Sequence, residues 1–313
     1  MDRLASPPLL SLFFSVFFLS SLFSLDSKTL EARCTDRVGK SLSGNDCLKY
    51  ESLPLDGVDV CKGGDEVVPR RFFAIGGKET PHTFDLHSAT NPTFRFEYFD
   101  DESALSYLRD RFGKEGAGGG NVTSAFSCLL PPAYRADLFR YASLLKEGGV
   151  YVDADQVLLL PLERVVPLCK NATVGHDIPQ NVGKVRSASK QMKILSGVAG
   201  HPVWRCMVDG IVSNVMDWKR PTHSLLFSGP VLLERCIQET RSNVSVVYRD
   251  ASSGKWPDGG GMVGKEGLLS IELGSGRDFH PVREDNHYSV LMQKGKVVRP
   301  DCPLLKKRTS RRR

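Results

Sequence analysis

The sequence predicts an α/β fold, and three observations carry that prediction. Residues 133–162 join a helical pattern, two glycines, a β-rich run and two carboxylates in one string. Phe94, Phe96 and Tyr98 alternate with Arg95 and Glu97, the period of two that marks a strand. Ala104, Leu105, Leu108 and Phe112 then form one helical face before Gly113. The 313 residues suit one large domain with attachments and can bury a substantial core.

Residues 9–25 are apolar except for Ser11, Ser15, Ser20, Ser21 and Ser24, and follow Arg3, whose charge Asp2 cancels. A run of this length lies at the lower limit for a bilayer span and above the usual signal-peptide core. Residues 1–26 therefore read as a signal anchor, which makes the chain a single-pass type II membrane protein of the Golgi or endoplasmic reticulum with its domain in the lumen. The alternative is a cleaved signal peptide and a secreted chain. Asn121-Val122-Thr123, Asn171-Ala172-Thr173 and Asn243-Val244-Ser245 are glycosylation sequons, in keeping with either outcome. The eight cysteines are even in number and form no CxxC pair, which favours disulfides over zinc.

Residues 27–66 are polar and read as a luminal stem, with Cys34, Cys47 and Cys61 available to tie it down. The domain proper is expected over 67–303. Its first strand lies near Val67 to Ile75 and ends in Gly76-Gly77. Asp100 or Asp101 offers an N-cap for the helix that follows the aromatic strand. Gly113 to Asn121 reads as a flexible surface insertion with a glycan at Asn121. Residues 304–313 form a basic tail. Lys306, Lys307, Arg308, Arg311, Arg312 and Arg313 supply six positive charges, the whole of the net +6, so the body of the protein is neutral. That balance argues against a nucleic-acid-binding body.

The central string begins at Pro131 and Pro132, which suit a helix start, and Leu138, Tyr141, Ala142 and Leu145 recur at helical spacing. Gly148 and Gly149 stop the helix, and Val150-Tyr151-Val152 runs as a strand into Asp153-Ala154-Asp155. An extended backbone would put both carboxylates on one face, where they repel unless a cation lies between them. A divalent ion held by carboxylates and ligand phosphates resolves the repulsion. The plainer alternative is a solvated turn. Two other motifs fail. Gly259 to Lys265 mimics a phosphate-binding loop, but Glu266 stands where that loop needs Ser or Thr. The DxD also lacks the downstream Gly and Glu of an EF-hand.

This string resembles the DxD core of glycosyltransferase family 32, which includes initiating α-1,6-mannosyltransferases and α-1,4-galactosyltransferases. The resemblance covers roughly residues 67–240. Asn91-Pro92-Thr93-Phe94, Gln191 to Pro202 with Gly200-His201-Pro202, and Phe227-Ser228-Gly229-Pro230 are similar to further family segments. Phe72 and Phe73 depart from the family's first strand, and Leu291 stands where many members place a metal-ligating His.

The resemblance implies a GT-A-type α/β domain with a mostly parallel central sheet flanked by helices. It implies retaining transfer of a hexose from a nucleotide sugar to a hydroxyl of a glycan or glycolipid, with Mn²⁺ or Mg²⁺. Asp155 would bind the metal directly, and Asp153 would face the ribose or sugar and the metal shell, with His287 a candidate third ligand. Asp137, Arg140 and Tyr134 would border the donor, and Gly229 and Pro230 the acceptor. The plainer reading makes Asp137–Arg140 a local salt bridge and Tyr134 a core residue. The Gln191 to Pro202 segment favours GDP-mannose over a UDP-hexose. The alternatives are a UDP-sugar transferase of galactose type and, given Leu291 and the altered first strand, a non-catalytic lectin-like or scaffold protein.

Overall fold

A computed structural model describes residues 55–57, 61, 65–78, 82–113, 119–177, 180–182, 185–187, 190–218, 223–251, 261–265, 267–272 and 288–305. The segment 9–25, Cys34, Cys47, His287 and the six basic residues of the tail lie outside the described residues. Among the described residues no helix is long and apolar enough to cross a membrane.

The first half follows the sequence pattern closely. Strand β1 (Arg71–Ile75) leads through α1 (His82–Thr90) to β2 (Arg95–Phe99). Helix α2 (Asp101–Phe112) is capped by Asp100, whose carboxylate accepts from the Ser103 N–H while the Ser103 hydroxyl accepts from the Asp100 N–H. The expected insertion at 113–121 is corrected at its end. Gly119, Gly120 and Asn121 already belong to α3 (Gly119–Cys128), whose Ala125 and Phe126 are buried in the core. Burial of that later face overrides the poor helix propensity of the glycines.

Helix α4 (Pro132–Glu147) runs into β3 (Gly149–Val152), and almost every residue from Tyr134 to Leu145 is buried. The turn between them needs glycine twice. Gly148 and Gly149 have φ of 68° and 107°, and a Cβ on Gly149 would lie 2.6 Å from the Arg71 carbonyl oxygen. The Arg71 guanidinium, itself buried, fastens the turn by donating to the Gly148 carbonyl at 3.1 Å and the Ser143 hydroxyl at 2.9 Å.

The remaining elements are β4 (Gln156–Leu158), a single turn α5 (Leu162–Val165), β5 (Ala172–His176), β6 (Gln180–Val182), β7 (Val185–Ser187) and β8 (Lys190–Gly197). Then come α6 (Pro202–Met216), α7 (Ser224–Phe227), α8 (Pro230–Thr240), β9 (Ser245–Ala251), β10 (Gly261–Gly264), β11 (Gly267–Glu272) and α9 (Tyr288–Gln293). The described part of the misleading Gly-x-x-x-x-Gly-Lys motif, Gly261 to Lys265, falls in the antiparallel β10–β11 hairpin and not at a helix start, where a phosphate would be held.

Nine strands form one sheet in the order β2-β1-β3-β8-β5-β9-β10-β11-β4. The α/β architecture is as expected, but the sheet is mixed rather than mostly parallel. Only β1–β2, β1–β3 and β5–β9 pair in parallel. The departure centres on β8, which is antiparallel to both β3 and β5. The chain reaches β8 from β5 through the β6–β7 hairpin, whereas a parallel return needs a longer crossover. Alternate strand residues feed two cores, one on each face. Phe73, Tyr151 and Leu195 pack with α2, α3, α4 and α6 on one face, and Phe72, Val150, Val152 and Ile194 pack with Leu162 and Leu168 on the other.

Disulfides Cys61–Cys169, Cys128–Cys302 and Cys206–Cys236 bear out the reading of the cysteines. The first ties the end of the stem segment to the domain. Nearby, Asp56 accepts from the Ser245 hydroxyl at 2.8 Å. Leu304, placed in the tail by sequence, is buried in the core beside Cys302.

Candidate active site

The end of β3 and the first half of α4 meet at a cleft of about 300 Å³ lined by Tyr134, Asp137, Arg140, Asp153, Asp155, Gln191, Lys193, Gly229, Pro230 and Tyr288, among others. The seven described residues assigned to donor, metal and acceptor from sequence therefore all border one cavity. His287 lies outside the described residues. The sequons lie elsewhere, with Asn171 and Asn243 exposed and Asn121 half-buried.

Asp153 and Asp155 reach the cleft by a different route from the expected one. The strand ends at Val152, and residues 153–156 form a turn closed by the Gln156 N–H on the Asp153 carbonyl at 3.0 Å. The turn, not the alternation of an extended strand, brings both carboxylates to the cavity. On the Asp153 side the fold also supplies a cation of its own. Arg140 Nη1 lies 3.1 Å from Asp153 Oδ1, and Nη2 lies 3.2 Å from Asp137 Oδ1. One guanidinium thus bridges a carboxylate on its own helix and the first carboxylate of the DxD. The local salt bridge is present, and both of its members line the cleft.

Each member of this network is held from outside it. Ser228 donates to Asp137 Oδ2 at 2.6 Å, Tyr151 donates to Asp153 Oδ1 at 2.6 Å, and Arg140 donates to the Met192 carbonyl at 2.9 Å. The guanidinium also stacks over the Tyr151 ring, 4.5 Å from its centroid. Burial pushes the Asp137 carboxyl up to about 6, although Arg140 and Ser228 pull it down. Burial works against the Arg140 charge, yet Asp153, Tyr151 and Asp137 hold its pKa above the usual guanidinium value.

Tyr134 is both a cleft residue and a core residue. Its ring stacks on Phe227 at 4.9 Å and leans on Tyr288 at 5.8 Å, and burial followed by the nearby Asp137 charge raises its phenol pKa. Gly229 and Pro230 open α8 at the cleft, beside Ser228. Tyr288 closes the cleft from the C-terminal segment. That segment is pinned by Cys128–Cys302 and by backbone bonds from Leu130 to Val297 and from Arg299 to Cys128.

Among the described residues no three His, Cys, Asp or Glu side chains converge as a metal cage. The two DxD carboxylates alone fit an ion that takes its other ligands from a bound phosphate and water. Asp153 has Oδ1 engaged by Tyr151 and Arg140.

Residues 83–174 match the family described as glycosyltransferase sugar-binding region containing DXD motif. The DXD region runs from α1 into β5 and contains Asp137, Arg140, Asp153 and Asp155, while Gln191, Ser228, Gly229 and Tyr288 lie beyond it. An initiation-specific α-1,6-mannosyltransferase of Schizosaccharomyces pombe is 29% identical over 77 residues, which is 25% of this chain and 19% of that relative. Two solved structures resemble the fold in part. The PaToxG glycosyltransferase has a TM-score of 0.39 at 13% identity, over 63% of this chain and 77% of its own. The UDP-bound glycosyltransferase domain of the YGT toxin has a TM-score of 0.36 at 10% identity, over 58% and 80%.

Several polar partners in the site went unassigned in the sequence. Ser228, Gln191 and Asp250 are buried, and each anchors something the cleft uses or borders. Gln191 carried a usable signal, because an amide stands near the start of a strand whose Met192, Ile194 and Leu195 are apolar. Ser228 carried none beyond its place beside a Gly-Pro helix start.

Proposed function

We propose that the protein is a metal-dependent glycosyltransferase that moves a hexose from a nucleotide sugar to a hydroxyl of a glycan or glycolipid, with retention at the anomeric carbon. The observation that carries this reading is the Asp137–Arg140–Asp153 network, set beside Asp155 in a single cleft within a DXD sugar-binding region.

Transfer requires stabilising a departing nucleoside diphosphate and an oxocarbenium-like sugar. Asp155, with Asp153 in support, would hold Mn²⁺ or Mg²⁺, which supplies Lewis-acid stabilisation to the diphosphate. The protein's own groups do the rest. Asp137 and Asp153, fixed by Arg140, Ser228 and Tyr151, present oxygens of set direction to donor hydroxyls. Such preorganisation removes the cost of arranging dipoles as charge develops. Tyr134 and Tyr288 form an apolar wall that limits water, and the Gly229-Pro230 wall is left to the acceptor.

For the donor, the similarity to an α-1,6-mannosyltransferase supports GDP-mannose over a UDP-hexose. We place the domain in the lumen of the Golgi or endoplasmic reticulum, anchored through residues 9–25. The paired cysteines support an oxidising compartment. A screen of the purified full-length protein with Mn²⁺ against GDP-mannose, UDP-galactose and UDP-glucose, read as nucleotide release, tests the function. Release from GDP-mannose is expected. Release from a UDP-hexose alone would change the donor, and silence with all three alongside retained sugar binding would favour the lectin-like reading.

A further inference from the structure

The start of β8 holds a buried arrangement that no step above requires. Gln191 is buried, and its carboxamide meets four partners. Its Oε1 accepts from the N–H groups of Met192 at 2.7 Å and Lys193 at 3.3 Å. Its Nε2 donates to Asp250 at 2.9 Å and to Asp177 at 3.4 Å. Those partners settle the orientation of the amide, since backbone N–H groups only donate and carboxylates accept.

The carbonyls of the same two residues point into the site. Met192 accepts from Arg140 Nη1 at 2.9 Å, and Lys193 accepts from the Asp153 N–H at 2.8 Å. The amide therefore holds the N–H groups of two residues whose own C=O groups meet Arg140 and Asp153, and the 192–193 peptide carries both a held N–H and the carbonyl that faces Arg140.

The sheet is adapted to allow this. The β5–β8 register jumps from Thr173↔Ser196 to Gly175↔Gln191, which interrupts the ladder along the stretch in between. Tyr248 from β9 fills part of the break, its hydroxyl donating to the Ile194 carbonyl at 2.5 Å and accepting from the Ile194 N–H at 2.9 Å. Its ring passes over Gly175, where a Cβ would lie 2.2 Å away.

We infer that Gln191 is a positioning residue for the donor sugar: anchored by Asp250, it fixes the 191–193 backbone that orients Arg140 and Asp153. The inference rests on the transferase reading above. It makes a specific claim, because Gln191 acts through the backbone on Arg140 and Asp153 and not on Asp155, the carboxylate proposed to hold the metal.

The test compares Gln191→Met, which keeps length and loses every hydrogen bond, with wild type. The kcat/KM for the nucleotide sugar should fall about tenfold, the scale of losing one or two hydrogen bonds. The Kd of free GDP or UDP, measured by calorimetry with Mn²⁺, should stay unchanged, and hydrogen exchange should quicken at the 192 and 193 amides but not in α6. Should Gln191→Met not fold, Asp250→Ala removes the same anchor from the other side and predicts the same split. A variant with wild-type kcat/KM, or one that weakens nucleotide and nucleotide sugar equally, overturns the inference. Wild type that releases nucleotide from no donor defeats the transferase reading instead, while the exchange measurement still reports on the backbone.

Discussion

At the residue scale, the arrangement around Arg140 changes what substitutions in the cleft should do. The sequence alone offered Asp137 and Arg140 either as residues bordering the donor or as a local salt bridge. In the fold both are buried, and Arg140 is the shared counter-ion of two carboxylates. Arg140→Ala strands both charges, so we expect a stability loss of about 3–5 kcal/mol. A melting temperature within a degree or two of wild type would contradict the shared role. Asp137 gives a pH signature. Its folded pKa, about 6, lies above the ordinary carboxyl value, so the folded state binds that proton more tightly than the unfolded chain. Stability from this group is therefore greatest at low pH and is lost as pH rises from about 4 to 6. Asp137→Asn cannot ionise, so its melting temperature should gain on wild type across that window. A gap that moves the other way would show that the ion pair outweighs burial.

At the scale of elements, the helix–glycine–strand junction was legible because its requirements are local. Two glycines after an apolar helix face leave few alternatives, and α4 begins and ends, and β3 begins, where the pattern indicated. The same locality explains the misses. Nothing near Gly119 shows that Ala125 and Phe126 will be buried and draw the glycines into a helix. Nothing near Asp153 shows that the chain turns immediately after Val152. The direction of β8 depends on how 178–189 returns to the sheet, and pairing partners distant in sequence leave no periodic trace. The junction also yields a prediction. With φ at 107° and the Arg71 carbonyl in the way, Gly149→Ala should cost at least about 1–3 kcal/mol. Denaturant unfolding reads it directly, and a neutral result would mean that the backbone can relax without moving the DXD turn.

For the whole molecule, residues far apart in the chain had to converge before a site existed. The DXD region carries the acidic wall, but Ser228, Pro230 and Tyr288 arrive from later elements, and no single-segment pattern reveals that meeting. Covalent links help to hold it together. Cys128–Cys302 closes a separation of 174 residues and anchors the segment bearing Tyr288, so its loss should cost roughly 3–5 kcal/mol and weaken donor binding. Cys128→Ala with Cys302→Ala, compared by melting temperature and nucleotide affinity, checks both effects. Unchanged affinity would free Tyr288 from any role. The topology proposal has its own test: alkaline carbonate should leave the protein in the membrane pellet, and a soluble form beginning near residues 26–28 would show cleavage instead.

The central claim is that Asp155 joins metal and nucleotide in the cleft. Binding of the two must then be coupled, each raising the affinity for the other by the same factor. Asp155→Asn keeps the shape and removes the charge, which isolates that coupling from packing. The decisive measurement is calorimetric titration of GDP and UDP into wild type and Asp155→Asn, with and without Mn²⁺. The account predicts that Mn²⁺ tightens nucleotide binding at least about tenfold in wild type, the middle of the usual coupling range, and has no effect on the variant. Equal affinity with and without Mn²⁺ in wild type, or coupling that survives in Asp155→Asn, would contradict it.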